Sequence, residues 1–395
     1  MKKITLFRNF DVVRGGSIHK GCAVAVSDGK ILSVGDNSEI KDAEIIDGRG
    51  ENYLLPGFID LHVHGGGGFD FMDGDAAEYI SASKFHASHG TTAHYPTTLS
   101  ASREELLASV RAFDEAAAAG GGAKMLGIHL EGPYIAKSQK GAMDEKYIRD
   151  PIKEEYEELL AVSGNIRRMT IAPELPGAIE LGAFLSEKGV LPSIGHTDCV
   201  CEDVIDAYTR GSYRLMTHLY SAMSQTRRIG VWRRAGAVEA AYLLDGMYVE
   251  IIADGIHLPP ELLKLIYKIK GSGRIALITD SMRGSGMAQG TQSILGSRKN
   301  GLPCWIEDGV AKTYDRTAFA GSIATSDRLV RNMVYLAGAS LPEASRMASE
   351  TPAEIMGIKN SRGSIDAGKY ADLVVMDREL RVRRTVVEGE TVFEG

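Results

Sequence analysis

Gly57-Phe-Ile-Asp-Leu-His-Val-His64 is a mainly apolar stretch with an aspartate in its middle and two histidines near its end. An apolar run of this length indicates a buried β-strand. Side chains alternate between the two faces of a strand, so His62 and His64 point the same way. The stretch therefore predicts a buried strand whose carboxyl end presents two imidazoles on one face.

Seven further apolar stretches follow, separated by helical patterns such as Arg103 to Ala119 and Pro260 to Lys270. Strands that alternate with helices predict βαβ units and a parallel sheet. The eight predicted strands are Gly57–His64, Thr91–Tyr95, Met125–Glu131, Met169–Pro173, Val190–His196, Arg214–His218, Tyr248–Asp254 and Arg274–Asp280. They predict a TIM-type (β/α)8 barrel, which we assign to residues 55–358.

Both ends of the chain contain short β segments in place of helical patterns. Cys22–Val26 and Lys30–Val34 lie near one end, and Leu373–Asp377 lies near the other. Asp-Gly pairs between such segments are typical of tight turns. We therefore predict an α/β protein in which residues 1–54 and 359–395 together form a small β-sandwich domain beside the barrel.

The charge balance excludes several classes of binding protein. Lys and Arg number 45 and Asp and Glu number 52 among 395 residues, which gives a net charge of −7. An acidic chain does not attract a phosphate backbone or an anionic membrane surface, so nucleic acid and membrane are excluded as partners. Only four scattered cysteines and no long apolar run predict a cytoplasmic protein without a disulfide framework.

Polar residues end several of the predicted strands, at the side of a TIM barrel where active sites form. Imidazoles with one carboxylate are the donor set that Zn²⁺ prefers, with iron, cobalt and manganese as alternatives. Glu131, His196 and His218 are predicted to hold one divalent ion. His62 and His64 are candidates for a second ion with Glu131 or a hydroxide as a bridge, so one or two ions per subunit are expected.

Two further residues near strand ends are candidates for catalysis. Asp280 follows an apolar run and can either take a proton from water or cap a helix. His257 lies just past the seventh strand and is either a donor to the substrate or a structural loop histidine. Catalysis is the favoured interpretation of both residues, because they accompany the metal-ligand candidates at the barrel mouth.

Four arginines lie close together after the sixth strand, in the loop Arg227-Arg-Ile-Gly-Val-Trp-Arg-Arg234. A run of charges is often only a solvated loop. A phosphate group on the substrate would need such a cluster of donors, since the chain as a whole is acidic. Spacing alone does not decide which of Arg227, Arg228, Arg233 and Arg234 would be a phosphate ligand.

A series of short motifs runs along nearly the whole chain. In chain order they are Leu55–His64, His129-Leu-Glu-Gly-Pro133, Ala172-Pro-Glu174, Gly195-His-Thr-Asp198, Thr217–Met223, Ile252–His257, Leu277-Ile-Thr-Asp280, Ala320-Gly-Ser322 and Gly363–Val375. Together they resemble the N-acetylglucosamine-6-phosphate deacetylase family of the amidohydrolase superfamily. The resemblance implies Glu131, His196 and His218 as metal ligands and Asp280 as the residue that transfers a proton.

The same resemblance implies a metal-dependent hydrolase of amino-sugar catabolism, which releases acetate from N-acetylglucosamine 6-phosphate and leaves glucosamine 6-phosphate. It implies a homodimer in which an arginine of the 227–233 loop reaches the phosphate site of the neighbouring subunit. Further substrate contacts are carried over to Ala142, Met143, Ser221, Ala222, Asp254, Gly255, His257, Phe319, Ala320 and Gly321.

Two positions depart from the family pattern. Met143 stands where histidine or glutamine is more usual, and Ser221 stands where asparagine is usual. Both positions face the sugar in the family, so another N-acetylhexosamine 6-phosphate, such as the galacto epimer, is an alternative substrate. The motifs also leave open a hydrolase of N-acyl amino acids or cyclic amides, and a non-catalytic protein of the same fold.

Overall fold

The computed structural model of this protein describes residues 4–37, 40 and 42–395. The middle of the chain forms a barrel of parallel strands, and the two chain ends join in a separate, mainly antiparallel sheet. No helix within the described residues is both long enough and apolar enough to cross a membrane. The α/β class expected from the sequence is confirmed.

The barrel consists of eight parallel strands that pair in chain order. They are Phe58–Val63, Thr91–Thr98, Ile128–Glu131, Ile166–Ile171, Leu191–Ile194, Leu215–Met216, Tyr248–Ile251 and Ile275–Leu277. The eighth strand returns to the first, since the Asp280 N–H donates to the His62 carbonyl over 2.9 Å and Ser281 pairs with Val63. The ring of strands is therefore closed, and the predicted TIM-type barrel is confirmed.

Ten α-helices within the described residues accompany the strands, and their buried residues belong largely to the same hydrophobic core. They are α1 Ala76–Ala87, α2 Arg103–Ala119, α3 Lys153–Val162, α4 Ala178–Glu187, α5 Cys201–Arg210, α6 Ala237–Leu243, α7 Pro260–Lys270, α8 Ser326–Asn332, α9 Leu341–Ala348 and α10 Glu350–Ile355. Shorter helical turns are Phe71–Asp73, Lys137–Gln139, Glu145–Tyr147 and Met333–Ala337. Helix α2 begins where predicted because Ser102 and Glu105 cap each other's backbone N–H groups.

The two chain ends share one eight-stranded sheet. Its strands are Ile4–Arg14, Ser17–Ser27, Lys30–Gly35, Glu44–Asp47, Tyr53–Pro56, Leu373–Met376, Val382–Val387 and Glu390–Glu394. The ends meet where Leu373 pairs with Pro56 and Met376 with Tyr53. The sheet has its own apolar core, as a small terminal β domain requires. The domain boundaries at residues 54/55 and 358/359 stay a prediction.

A three-stranded antiparallel insertion follows the barrel. Its strands are Thr291–Leu295, Leu302–Glu307 and Val310–Thr313. A turn at Asp308-Gly309 joins the last two. The remaining β segments are the hairpins Gly65–Gly66 with Phe69–Asp70 and Arg227–Ile229 with Trp232–Arg234, and the short strand Lys124–Met125. Leu295 of the insertion lines the cavity at the barrel mouth, and so does Phe319, which lies after the last strand of the insertion. The insertion therefore forms part of the wall of the site.

Candidate active site

Four histidines and one glutamate from different strands meet at the carboxyl end of the barrel. His196 Nε2 and His218 Nε2 lie 3.1 and 2.9 Å from Glu131 Oε1, and 3.1 Å from each other. His64 Nε2 lies 3.2 Å from Glu131 Oε2 and 3.1 Å from His62 Nε2. All five side chains are buried. The structure therefore brings together every residue that the sequence proposes as a metal ligand.

Hydrogen bonds at the far side of two rings direct their Nε2 atoms into this cluster. His196 Nδ1 donates to the Gln139 carbonyl over 2.8 Å, and His64 Nδ1 donates to the Thr97 carbonyl over 3.2 Å. A carbonyl only accepts, which assigns a proton to each Nδ1 and leaves each Nε2 for the cluster. Imidazole nitrogens and carboxylate oxygens this close together need positive charge between them. The donor set therefore fits a metal ion.

The spacing of the donor atoms fits one or two ions. In a tetrahedral site with bonds of about 2.1 Å, neighbouring donor atoms lie about 3.4 Å apart. Two groups have ligand atoms that lie close enough together, namely Glu131 with His196 and His218, and Glu131 with His62 and His64. Glu131 belongs to both groups, and its two oxygens face different histidines. Its carboxylate is therefore able to bridge two ions.

The negative charge of the buried carboxylates favours positive charge on the groups next to them in this cluster. Burial raises the pKa of Glu131, but the charges of His62 and His196 outweigh burial and hold that pKa well below its usual range. Burial lowers the pKa of His64, but hydrogen bonds to Asp280 and Glu131 outweigh burial and raise it to about 10. A divalent ion supplies the same positive charge and displaces such protons when it binds. The carboxylate of Glu131 is therefore ionised.

Asp280 lies beside the same cluster, just beyond the eighth strand. Its Oδ1 is 3.1 Å from His64 Nε2 and 3.4 Å from His62 Nε2. Burial raises the pKa of Asp280, but the two histidines outweigh burial and lower that pKa. No helix of the described residues begins at Asp280, so the helix-cap interpretation is wrong. An ionised carboxylate at the cavity is the arrangement that a general base requires.

His257 forms part of the cavity wall and is held by Asp254. Its Nδ1 donates to Asp254 Oδ2 over 2.7 Å, and its backbone N–H donates to Oδ1 over 2.8 Å. Burial raises the pKa of Asp254, but the contacts with His257 outweigh burial and lower it. The imidazole also packs on Phe319, with ring centroids 4.6 Å apart. These contacts leave Nε2 as the ring nitrogen available to a ligand.

An open cavity of about 380 Å³ lies over the metal-ligand cluster, the name we use for Glu131 and the four histidines described above. This volume is typical of small-molecule sites. Seven predicted substrate contacts line it, namely Ala142, Met143, Ser221, Ala222, His257, Phe319 and Gly321. Met143 is buried, and its sulfur accepts a hydrogen bond from the Ser100 hydroxyl over 3.0 Å. Leu99 and Leu295 lie in the same wall, which is therefore largely apolar.

The remaining predicted substrate contacts do not line the cavity of the single chain. They are Arg228, Arg233, Asp254, Gly255 and Ala320. The carboxylate of Asp254 is occupied by His257, and the Ala320 N–H donates to the Ala311 carbonyl over 2.9 Å. Contact of these residues with a substrate stays a prediction.

The arginine-rich segment 227–234 forms a short antiparallel hairpin. Arg227 is paired with Asp198, whereas Arg228 and Arg233 face each other across the hairpin and are exposed. Neither of these two arginines has an ion-pair partner in the part of the chain that the structure describes. Among the same residues, no lysine or arginine lines the cavity. Any phosphate in the cavity therefore needs a cation from elsewhere.

A polar layer inside the barrel is not predicted from the sequence. Arg168 and Glu250 are fully buried and form an ion pair through both nitrogens of the guanidinium end. Barrel interiors are usually filled by branched apolar side chains, so a charged pair is unexpected there. The available signal was spacing: Arg168 and Thr170 are two residues apart in one strand and therefore share its interior face.

The sequence of this chain is similar to those of known proteins. A sequence model of the amidohydrolase family matches residues 53–392. The N-acetylglucosamine-6-phosphate deacetylase of Bacillus subtilis (strain 168) is 32% identical, and the match covers 100% of this chain and 98% of the relative. The N-acetylgalactosamine-6-phosphate deacetylase of Escherichia coli O157:H7 is 33% identical, and the match covers 87% of this chain and 88% of the relative.

A solved structure from Mycobacterium smegmatis has the same fold over the whole chain. It is a mutant N-acetyl-D-glucosamine-6-phosphate deacetylase in complex with N-acetyl-D-glucosamine-6-phosphate. It is 30% identical to this chain with a TM-score of 0.90, and the match covers 99% of both chains. These matches confirm the predicted resemblance and the assignment to a class of enzymes. The chain belongs to the amidohydrolase family.

Proposed function

We propose that this protein hydrolyses the acetamido group of N-acetylglucosamine 6-phosphate, which yields acetate and glucosamine 6-phosphate for amino-sugar catabolism. The observation that carries the proposal is the convergence of Glu131, His196, His218 and Asp280 on one cavity. Relatives that match over the full length, and whose names describe this reaction, support it.

The proposed cofactor is a divalent metal, in one or two ions per subunit. Zinc is favoured, with iron, cobalt and manganese as alternatives, because imidazole and carboxylate donors suit these ions. Glu131, His196 and His218 would hold the first ion, and His62 and His64 would hold a second together with Glu131. An ion at this place would act as a Lewis acid that activates water and polarises the acetyl carbonyl.

The residues of the chain supply the proton transfers and the orientation of the amide. The ionised carboxylate of Asp280 accepts a proton from the attacking water and delivers it to the amide nitrogen as the C–N bond breaks. The nitrogen needs this proton because an unprotonated amine anion is a poor leaving group. His257 is placed to hydrogen-bond the acetyl group or a sugar hydroxyl through Nε2, with its ring held by Asp254.

The substrate phosphate is proposed to bind an arginine from a second copy of the chain in a homodimer. No lysine or arginine lines the cavity within the described residues, whereas a phosphate binds most strongly to charged donors such as arginine. Arg228 and Arg233 lie on the hairpin 227–234 beside Val231 and Trp232, which are 76% and 70% exposed. Exposed aromatic and apolar side chains next to arginines are typical of protein interfaces. The hairpin is therefore the element proposed to reach the neighbour.

A cytoplasmic location is proposed on the basis of cysteine usage. The four cysteines are scattered along the chain, and each is a free thiol. This pattern suits a reducing compartment.

Acetate release by the purified, zinc-supplemented protein tests the proposed reaction. The substrates to compare are N-acetylglucosamine 6-phosphate, its galacto epimer and unphosphorylated N-acetylglucosamine. We expect kcat/KM to be about 100-fold lower without the phosphate, because a charge-assisted arginine–phosphate contact is lost. No acetate from any of the three sugars, with turnover of N-acyl amino acids or cyclic amides instead, would replace this proposal with the corresponding amidohydrolase activity.

The galacto epimer is the second candidate substrate. A relative named for that epimer is 33% identical to this chain, close to the values of the relatives named for the gluco sugar. Met143 and Ser221, the two positions that depart from the family pattern, both line the cavity. A higher kcat/KM for N-acetylgalactosamine 6-phosphate in the same assay would make it the preferred substrate.

A further inference from the structure

Below the metal-ligand cluster, the barrel interior contains a charged pair that the proposed reaction does not use. Arg168 in the fourth barrel strand and Glu250 in the seventh are both 0% exposed. The guanidinium contacts both carboxylate oxygens, Nη1 with Oε1 and Nη2 with Oε2, the latter over 2.8 Å. The pair is therefore a bidentate ion pair that solvent does not reach.

Every N–H group of the Arg168 guanidinium has an acceptor. Besides the two bonds to Glu250, Nε donates to Ser193 Oγ over 3.0 Å, Nη1 to the Leu61 carbonyl over 3.1 Å, and Nη2 to Thr217 Oγ1 over 2.9 Å. An arginine has five N–H donors, and these five contacts use all of them. Arg168 is therefore held in one position from four different strands of the barrel or their ends.

These contacts end next to two of the predicted metal ligands. Leu61 directly precedes His62, and Thr217 directly precedes His218. Glu250 Oε2 lies 3.6 Å from His62 Nδ1, a nitrogen that is buried and has no hydrogen-bond partner among the described residues. The carboxylate of Glu250 thus faces the side of the His62 ring that points away from the metal-ligand cluster.

A contribution to stability does not account for charged residues at this place. Removing two charges from water costs about as much as their attraction returns, and apolar residues of similar volume are often as stable or more stable. Other barrels fill the same space with branched apolar side chains. A carboxylate behind a metal-ligating imidazole has a different use, because it keeps the proton on the far ring nitrogen and fixes the orientation of the ring.

We propose that Arg168 and Glu250 are positioning residues for the metal centre. Arg168 fixes the carboxylate of Glu250, and Glu250 holds the His62 ring with its proton on Nδ1 and its Nε2 directed at the metal-ligand cluster. Through the Leu61 carbonyl, Arg168 also fixes the strand that carries this ligand. The inference rests on the metal-dependent function proposed above and adds two residues to it that touch neither substrate nor ion.

A double variant, Arg168→Met/Glu250→Leu, tests this role. Removing both charges together leaves no unpaired buried charge, so the variant is expected to fold with a Tm close to that of the unsubstituted protein. Zn²⁺ affinity is measured by competition with a chromophoric chelator, and Zn²⁺ per chain by elemental analysis. We expect the affinity to fall by about 10- to 100-fold, the usual consequence of losing the partner of a metal-bound imidazole.

Another buried ion pair provides the matched control. Arg362 and Asp372 are paired, with side chains 6% and 5% exposed, and neither contacts the ligand cluster. The variant Arg362→Met/Asp372→Leu removes the same kinds of charge and is expected to bind Zn²⁺ as tightly as the unsubstituted protein. A loss of Zn²⁺ affinity in this control as well would overturn the inference, because removal of any buried pair would then have the same effect.

The outcomes separate this inference from the proposed function. Unsubstituted protein that binds none of Zn²⁺, Fe²⁺, Co²⁺ and Mn²⁺ would overturn both. Unsubstituted protein that binds Zn²⁺, together with an Arg168→Met/Glu250→Leu variant of equal affinity and stoichiometry, would overturn the positioning role alone. If that variant does not fold, Glu250→Gln replaces it, since the amide keeps the volume but not the charge, and undiminished Zn²⁺ affinity in Glu250→Gln would contradict the role equally.

Discussion

Three residues of the candidate site stand in a backbone conformation that side chains rarely adopt. His196, His218 and Asp280 have φ angles of 48°, 31° and 46°. A left-handed residue other than glycine costs of the order of 1–3 kcal/mol and is found mainly at functional sites. Each of the three follows the end of a barrel strand, where the change of backbone direction turns the side chain toward the ligand cluster. Three of the six residues proposed for metal binding and proton transfer therefore carry backbone strain.

Asp280→Asn is predicted to remove proton transfer without removing the metal site. The amide has the size of the carboxylate but does not accept a proton from water at neutral pH. We expect kcat to fall by about 10²- to 10⁴-fold, the contribution usual for a general acid–base residue. Initial rates of acetate release and the metal content per chain are the measurements.

An exposed aspartate provides the control for this prediction. Asp308 lies in the surface turn before Gly309 and also has a positive φ, 53°, which asparagine tolerates. Asp308→Asn should leave kcat and metal content unchanged. Near-normal turnover in Asp280→Asn would remove that residue from the mechanism.

Asp254 is predicted to act through His257, whose ring it holds. Asp254→Asn removes the charge that holds the imidazole, so we expect kcat to fall by about 10-fold or more. His257→Gln should cost at least as much, and the double variant no more than His257→Gln alone, because two residues that act as one unit are not additive. The kcat values of the unsubstituted protein, the two single variants and the double variant form a double-mutant cycle. Additive losses would show that Asp254 has a separate role.

Helix α1 contains a buried histidine that couples its packing to pH. His86 Nε2 donates to the Gly65 carbonyl over 2.9 Å, and Nδ1 has no partner among the described residues. Burial lowers the pKa of His86 to about 4. The unfolded chain therefore takes up a proton below about pH 6.5, whereas the folded chain resists it until about pH 4. The contribution of neutral His86 to the free energy of unfolding is fully present above that window and lost as pH falls through it.

His86→Gln is predicted to weaken the pH dependence of stability. The variant loses a well-packed ring and should be less stable than the unsubstituted protein at pH 7.5. Between pH 6 and pH 5, however, its free energy of unfolding should fall less steeply, by up to about 1.4 kcal/mol per pH unit. Urea unfolding at several pH values measures both effects. His19→Gln, an exposed position in a terminal strand, is the control and should retain the original slope.

Several of the barrel strands end earlier than the sequence predicts. Every predicted strand exists, but the fifth, sixth and eighth stop at Ile194, Met216 and Leu277, before the functional residues. Apolar periodicity predicts the buried part of a strand and extends it to the first polar residue. A residue in the left-handed conformation does not continue the hydrogen-bond pattern of the sheet. The periodicity of apolar residues gives no indication of this change in the backbone.

At the scale of the whole molecule, the proposed exchange of arginines makes activity depend on the dimer. We predict that the variant Arg228→Ala/Arg233→Ala and the variant Asp280→Asn are each nearly inactive on the phosphorylated substrate. In a mixed dimer, arginines that act across the interface leave one site with both defects and one site intact. Co-expression in equal amounts should then restore about one quarter of the original activity, since half of the dimers are mixed and half of their sites are intact.

The same mixture has a clear negative outcome. Arginines that serve their own subunit would leave a defect in every site of every dimer, and co-expression would restore nothing. The Arg228→Ala/Arg233→Ala variant alone should keep its activity on unphosphorylated N-acetylglucosamine, which separates a lost phosphate contact from a damaged catalytic centre. Sedimentation of each variant establishes that the dimer is intact.

The amino-acid sequence was sufficient to predict the barrel, the terminal β structure and the residues of the candidate metal site. Apolar stretches that alternate with helical patterns require parallel strands, and parallel strands place their carboxyl ends at one mouth. Glu131, His196 and His218 could therefore be selected from separate parts of the chain before any distance was known.

The contacts that depend on side-chain direction and on closure of the barrel could be seen only in the folded chain. Folding places Arg168 against Glu250, Asp254 behind His257, and Arg228 outside the cavity of its own chain. Periodicity indicates which residues are buried, because burial follows from the local pattern of polarity. It does not indicate which buried group meets which, because that depends on how strands far apart in the sequence are aligned around the ring.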